Sequence, residues 1–254
     1  MSKLSFILVE LVAVFSLISI PFEIHKVKEA SVILGYSIVV DPGHGGKDNG
    51  CSYGNVYEDD INLAIGKALF EELQKDGVMA YLTRDGDYDL ADESAVNRKR
   101  EDLIQRVGII RSFQADILVS LHVNHYADDS IRGPMVYYRA GDDDSKNLAE
   151  KVQDELNAIS GLNKITHGED FYLFRKTECL ALLVECGFIS NASDRENLLS
   201  ENYRQLLAGG IVNGIGEYVG SQKKKRNPEK MKKTLILTVA YIIIIKRWAC
   251  SSVG

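Results

Sequence analysis

From Tyr36 onward the apolar and polar positions of the chain fall into alternating short runs and long periodic stretches. The run 36–41, YSIVVD, is apolar apart from Ser37 until its last residue, the pattern of a strand covered on both faces. Residues 57–75 place Ile61, Ala64, Ile65, Ala68, Leu69 and Leu73 on one helical face, with Glu58, Asp59 and Asp60 in the first turn and Gly77 just past the end. A second strand is expected at 79–84, and a helix over 96–114, where Leu103, Ile104, Val107, Ile110 and Phe113 recur at spacings near three or four. Further strands are predicted at 116–124, 133–139 and 181–188, and helices over 145–159 and 201–218. Strand and helix units in alternation imply one α/β domain, with a mostly parallel central sheet flanked by helices on both faces.

The two ends differ from this middle. Residues 4–20, LSFILVELVAVFSLISI, are apolar apart from Ser5, Glu10, Ser16 and Ser19, so the segment 1–35 is expected to be a signal peptide or N-terminal membrane anchor followed by a linker. Residues 220–254 are expected to be a basic linker and a short hydrophobic tail. Its run TLILTVAYIIII, 234–245, is too short to cross a bilayer comfortably, and a read-through or fusion boundary explains it as well as a functional tail does. The segment 36–219 is left as the catalytic domain. It holds 18 Lys and Arg against 32 Asp and Glu, whereas residues 220–254 hold 9 against 1. An acidic domain of this kind argues against nucleic acid as a substrate. The cysteines at 51, 179, 186 and 250 form no CxxC pair and no dense framework, so no disulfide is expected.

Four polar residues stand where polar residues are hard to explain by folding alone. His44 lies in the glycine-rich loop DPGHGG directly after the first strand, at the sheet edge where α/β proteins gather ligands. His122 interrupts the apolar strand ILVSLHVN, where an imidazole without a partner is costly to bury. Glu185 interrupts the apolar run LALLVECGF and must be neutralised, paired or near a cation. At the head of the first helix, YEDDINL, helix electrostatics account for an acidic residue without selecting among Glu58, Asp59 and Asp60. Two imidazoles, a carboxylate and an open fourth position form the ligand set of a catalytic zinc, and a further carboxylate with a raised pKa suits a general base. The long spacings point to a site assembled by the sheet, not to a compact HExxH helix.

The segments VVDPGHGGKDNG, YEDDINL, YLTRDGD, LIQRVGIIRSFQADILVSLHVN and LLVECGFISN, in this order, resemble the zinc-dependent N-acetylmuramoyl-L-alanine amidase family of the amidase-3 type, over about residues 36–219. The resemblance implies that His44, Glu58 and His122 bind zinc and that Glu185 is catalytic, taking a proton from the attacking water and returning it to the departing L-alanine amine. It implies cleavage of the amide between the lactyl group of N-acetylmuramic acid and L-alanine in peptidoglycan. The short chain and the Cys-Gly-Phe ending look most like the CwlD type of spore-forming bacteria. That likeness implies work on spore-cortex peptidoglycan in maturation or germination, an extracytoplasmic location between forespore and mother cell, membrane association through the N-terminus, and a lipoprotein partner similar to GerS. Asn124 and Arg106 are expected to contact substrate. His125 and the Leu180–Ala181 pair depart from the family pattern without touching a ligand position. The rival readings are a zinc carboxypeptidase or peptidase acting on wall peptides, and a non-catalytic peptidoglycan-binding accessory protein.

Overall fold

The structure, a computed structural model, describes residues 32–222, so the expected N-terminal anchor and the basic, hydrophobic tail lie outside the described residues. Among the described residues no helix is long and apolar enough to cross a membrane. The strands are β1 (Ser37–Pro42), β2 (Ser52–Tyr53), β3 (Val56–Tyr57), β4 (Met79–Leu82), β5 (Ile117–Asn124), β6 (Met135–Arg139), β7 (His167–Glu169) and β8 (Leu180–Phe188). The helices are α1 (Glu58–Lys75), α2 (Arg98–Ser112), α3 (Asp143–Ser160), α4 (Tyr172–Lys176), α5 (Ala192–Leu199) and α6 (Glu201–Gln222).

Six strands form one sheet in the order β4-β1-β5-β8-β6-β7, and β2 pairs with β3 in a separate hairpin. The pairs β1–β4, β1–β5, β5–β8 and β6–β7 are parallel, and β6 runs antiparallel to β8. The mostly parallel sheet expected from the alternation is therefore present, with one reversed pairing.

Side-chain alternation along the strands divides the core in two. On one face Ile38, Val40, Val119, Leu121, Leu182 and Val184 pack with apolar residues of α1, α3 and α6. On the other, Val39, Leu118, Ala181 and Leu183 pack with Val107 and Ile110 of α2 and Leu173 and Phe174 of α4. Both helical layers are anchored by specific bonds. Asn97 caps α2 by accepting from the Arg100 N–H, and Asp142 caps α3 by accepting from the N–H groups of Asp144 and Ser145. Arg139 fastens the segment around α4 by donating to the carbonyls of Phe174, Thr177 and Cys179.

Towards their C-terminal ends, the strands on the α2 face switch from apolar to polar. Asp41 pairs with Ser120, and His122 with Glu185, in adjacent strand registers. Between β5 and β8 the register then slips: His122 faces Glu185 but Asn124 faces Phe188, so β8 carries one extra residue. A bulge of this kind bends the strand and re-aims its side chains, and bulges are common beside active sites. Asp194 pins this one by accepting from the N–H groups of Phe188 (2.8 Å) and Gly133 (2.7 Å).

Asp41 is buried at the end of β1 and accepts from Thr83 Oγ1 (2.7 Å), Ser120 Oγ (2.7 Å) and Arg106 Nη1 (2.6 Å). Burial pushes its pKa up, but the Arg106 charge and the three donors outweigh this and hold the carboxyl below the ordinary aspartate value. A carboxylate whose folded pKa is depressed contributes stability that is complete above the unfolded value, about 3.9, and lost as the pH falls through the folded one. Asp41→Ala leaves the buried Arg106 guanidinium without this partner and is expected to lower unfolding stability by about 3–5 kcal/mol at neutral pH. Denaturant melts between pH 7 and pH 2 should also show less acid destabilisation below pH 4 in the variant than in the wild type.

Candidate metal centre

The centre is built around the corner where β1 leaves the sheet. Gly43 donates its N–H to the Leu121 carbonyl at 2.9 Å, so the corner runs against the end of β5. A Cβ at Gly43 would stand 2.3 Å from the His122 ring, and one at Gly50 would stand 2.4 Å from Glu58 Oε2, so only glycine leaves room for the two side chains at these points. The next residue, His44, has φ 61°, a left-handed conformation uncommon for a residue with a side chain and one that collects at functional sites.

Two buried arginines hold this corner. Arg84, 1 % exposed, donates to the carbonyls of Pro42 (2.9 Å), Gly43 (3.0 Å), Asp59 (2.9 Å) and Gly86 (3.0 Å). Arg106, 2 % exposed, donates to Asp41, to Asp102 Oδ2 (2.7 Å), and to the carbonyls of Pro42 (2.8 Å) and His44 (2.7 Å). Asn62 adds bonds from Nδ2 to the Gly43 carbonyl (3.2 Å) and to Glu58 Oε1 (3.3 Å), tying the corner to α1.

His44, Glu58 and His122 converge on one another. Glu58 Oε1 lies 3.0 Å from His122 Nδ1 and 3.3 Å from His44 Nε2, and the two rings meet edge to face with centroids 5.0 Å apart. Glu58 is buried at the first position of α1, where its charge also meets the helix dipole. It accepts further from the Val123 N–H (3.2 Å) and, through Oε2, from the Cys51 N–H (2.8 Å). Burial works to raise its pKa, but the bonds and charges of His122 and His44 draw it far below the carboxylate range, so it is held ionised. On His44 burial works downward and is outweighed by Glu58 and Asp48, which raise its pKa. The pocket therefore attracts positive charge. Asp48 Oδ2 stands 2.9 Å from His44 Nδ1, close enough to pair with it but outside hydrogen-bond geometry, a carboxylate backing the histidine nitrogen turned away from Glu58.

One ligand atom from each of these three residues lies within 4.8 Å of the others, and among the described residues they are the group that could hold a metal ion. Two imidazole nitrogens and one carboxylate oxygen on three separate elements, with a backing carboxylate on one imidazole, suit a divalent cation with an open coordination position. Glu185 lies beside this group in register with His122, and its Oε2 is buried without a hydrogen-bond partner. Burial raises its pKa to about 7, with Glu58 adding to the rise and His122 and His44 opposing it.

The structure brings together all four residues that the sequence singles out, and of the two expected substrate contacts it turns Arg106 inward. Asn124 Oδ1 accepts from the following N–H, of His125, at 2.8 Å. Arg106 directs its donors inward to Asp41, Asp102 and the loop carbonyls, which makes it a support of the His44 corner and leaves no exposed guanidinium for a substrate carboxylate. The physical reason is Asp41, a buried carboxylate that requires a cation. Asp48 and Asn62 are the residues sequence reading passes over. Asp48 reaches the His44 ring four residues back along the same loop, and Asn62 reaches Glu58 and the Gly43 carbonyl from the second turn of α1, contacts that no periodicity marks. The β2–β3 hairpin is clasped to α5, with the Arg195 guanidinium 3.8 Å from the centre of the Tyr53 ring.

Comparison with known proteins places this geometry in a family. The model for N-acetylmuramoyl-L-alanine amidases matches residues 38–217. The chain is 33% identical to the germination-specific N-acetylmuramoyl-L-alanine amidase of Bacillus subtilis (strain 168), over 72% of this chain and 80% of that protein. It is 34% identical to the uncharacterized protein YqiI of the same organism, over 74% of this chain and 87% of that one. Among solved structures, the CwlD amidase of Clostridioides difficile in complex with the GerS lipoprotein superposes with a TM-score of 0.71 at 32% identity, covering 73% of this chain and 99% of that one. With its α/β sheet, its His–Glu–His cluster and this match over nearly every described residue, the chain belongs to the N-acetylmuramoyl-L-alanine amidase family.

Proposed function

We propose that this amidase uses zinc held by His44, Glu58 and His122 to hydrolyse the bond between the lactyl group of N-acetylmuramic acid and L-alanine, with Glu185 as its proton carrier. The observation that carries the reading is the buried, unpartnered Glu185 oxygen beside the His–Glu–His group, with a pKa near 7. A divalent ion held by His44, Glu58 and His122 would supply Lewis acidity, polarising the amide carbonyl and acidifying a water. Glu185 takes the proton from this water as it attacks the carbonyl carbon, and delivers it to the amide nitrogen as the C–N bond breaks. The products are a free lactyl carboxylic acid and the L-alanine amino terminus. A carboxyl with a pKa near neutrality can accept and release a proton at similar cost, as this sequence requires. Asp48 keeps His44 oriented, and Arg106 and Arg84 fix the corner from which that histidine projects.

The likeness to a germination-specific amidase and to the CwlD amidase supports a role on spore-cortex peptidoglycan, in maturation or germination. The structure of the CwlD amidase with GerS supports a lipoprotein partner of that kind for this chain. A peptidoglycan substrate places the reaction on the extracytoplasmic side of the membrane, in our reading between forespore and mother cell, with the apolar stretch at 4–20 as leader or anchor.

Mass spectrometry of muropeptides after incubation with the zinc-loaded protein should show muramic acid with a free lactyl carboxylate and an intact released peptide. Loss of single terminal amino acids instead would mark a carboxypeptidase. Glu185→Gln should keep full zinc content by elemental analysis and lose about 10²–10⁴-fold in kcat. Asp48→Asn should retain the fold and weaken zinc binding about 10–100-fold in a competitive chelator titration.

A further inference from the structure

The sequence holds two Asn-Gly pairs, Asn49–Gly50 and Asn213–Gly214. Asparagine is chemically labile, and such a pair can close on itself when the glycine nitrogen attacks the side-chain amide carbon, an approach that no Cβ hinders. The fold treats the two pairs differently. Asn213 lies inside α6, where the Gly214 N–H is committed to the helix and Gly214 is pressed against α3, a Cβ there standing 2.5 Å from the Val152 Cα. The Asn213 amide also donates to Glu155 Oε2 at 3.5 Å. Ring closure at that pair would have to break the helix. Asn49 instead lies in the loop between His44 and the β2–β3 hairpin. Asn49 and Gly50 are both exposed, and the Asn49 side chain has no hydrogen-bond partner among the described residues. The Gly50 N–H, the group that must give up its proton to attack, donates to Asp48 Oδ1 at 3.2 Å, so a carboxylate already stands on that proton.

The backbone at this pair is held against the metal centre. Tyr57 precedes α1 without a side-chain cap, and this loop satisfies the first helical N–H groups instead. Glu58 donates its N–H to the Cys51 carbonyl at 3.0 Å, and Asp59 donates to the Asn49 carbonyl at 3.3 Å. In return the Cys51 N–H donates to Glu58 Oε2 at 2.8 Å. Gly50 sits between these contacts, where a Cβ would stand 2.4 Å from Glu58 Oε2 and 2.9 Å from the His44 ring. Residues 49–51 therefore have no slack against two of the three side chains that could hold the ion.

We propose that Asn49 is a site of spontaneous deamidation whose isoaspartyl product releases the metal, a limit on the working life of the centre set by its own loop. The Gly50 nitrogen bonds to Asn49 Cγ, the bond from Cγ to Nδ2 breaks, and the proton from Gly50 leaves with Nδ2 as ammonia. Water then opens the cyclic imide at either carbonyl. Opening at Cγ restores the original backbone with an aspartate. Opening at the main-chain carbonyl routes the chain through the former side chain, one atom longer, and turns the old carbonyl into a free carboxylate. The Asp59 N–H then loses the acceptor it had in place, and Gly50 and Cys51 are pushed off Glu58. Metal loss follows from the longer backbone and not from the new charge, since an added carboxylate by itself favours a cation. The release rests on the proposed site at His44, Glu58 and His122, whereas the reaction at Asn49 stands apart from it.

The test follows the freshly purified full chain through incubation at mildly alkaline pH. Peptide mapping by mass spectrometry, with isoaspartate located by backbone fragmentation, should show deamidation building up at Asn49 while Asn213 stays intact. The isoaspartyl form, separated by ion exchange, should bind zinc about 10–100-fold more weakly than the unmodified protein in a competitive chelator titration, the scale for losing the partners of a metal ligand. Asn49→Asp, which adds the charge without lengthening the backbone, should bind zinc as the wild type does when measured fresh. Asn49→Gln should keep its zinc through the same incubation. An Asn49 that stays unmodified, modification at Asn213 as fast as at Asn49, or an isoaspartyl form that binds zinc as tightly as the fresh protein overturns the proposal. Zinc binding by the unmodified protein is scored separately. Its absence removes the metal reading and the release with it, and the peptide map still decides the reaction at Asn49.

Discussion

The whole centre depends on two buried guanidinium groups. Arg84 and Arg106 turn their donors onto the carbonyls of the Pro42–Gly43–His44 corner, and Arg106 in addition neutralises Asp41 beneath it. A β-strand that stops abruptly leaves carbonyls without partners, and such groups are costly in a dry interior. Here they become acceptors for cations that cannot lose their charge. The bonds over-determine the corner enough for His44 to sit in a left-handed conformation, and that conformation in turn aims its Nε2 at Glu58. The burial of both arginines is thus a requirement of the loop geometry, and the loop geometry is a requirement of the ligand set.

The two glutamates at the centre show how environment separates roles within one residue type. Glu58 has five close partners, two of them imidazoles, and is held as an anion. Glu185 enters from an apolar strand, finds no donor for Oε2, and titrates near neutrality. Pairs of carboxyl groups pushed apart in this way mark a division between binding and proton transfer. The bulge in β8 contributes to it, since the register slip starts at the pair formed by Glu185 and His122 and frees the strand end from strict pairing.

Much of this was legible in the sequence, for a definite reason. Long helices and buried strands declare themselves by periodicity, and α1, α2, α3, α6 and the strands β1, β5 and β8 lie within a few residues of their expected places. His122 and Glu185 declare themselves because each interrupts an apolar run that folding alone would leave intact. Elements too short to show a period, such as the β2–β3 hairpin, the three-residue β7 and the five-residue α4, were not read. Arg106 was read for its charge alone, as a substrate contact. The clue to its placement is Asp41, an acid closing a strand buried on every side, which has to be met by a cation from elsewhere in the chain. Asp48 and Asn62 left no such mark, because neither periodicity nor an interrupted apolar run points to the ring nitrogen and the loop carbonyl they reach.

The clasp between Tyr53 and Arg195 bears on how the segments around this site behave in their surroundings. It joins the hairpin leading into Glu58 to the helix that follows the Glu185 strand, so the segments next to the two glutamates are tied at the surface as well as at depth. A cation seated on a ring at close range is screened by mobile ions much less than charges set a Debye length apart, about 10 Å at 0.1 M salt. Against a polymer matrix dense in fixed charge and counter-ions, this tie should hold steady while the weaker long-range steering of charged ligands varies with ionic conditions.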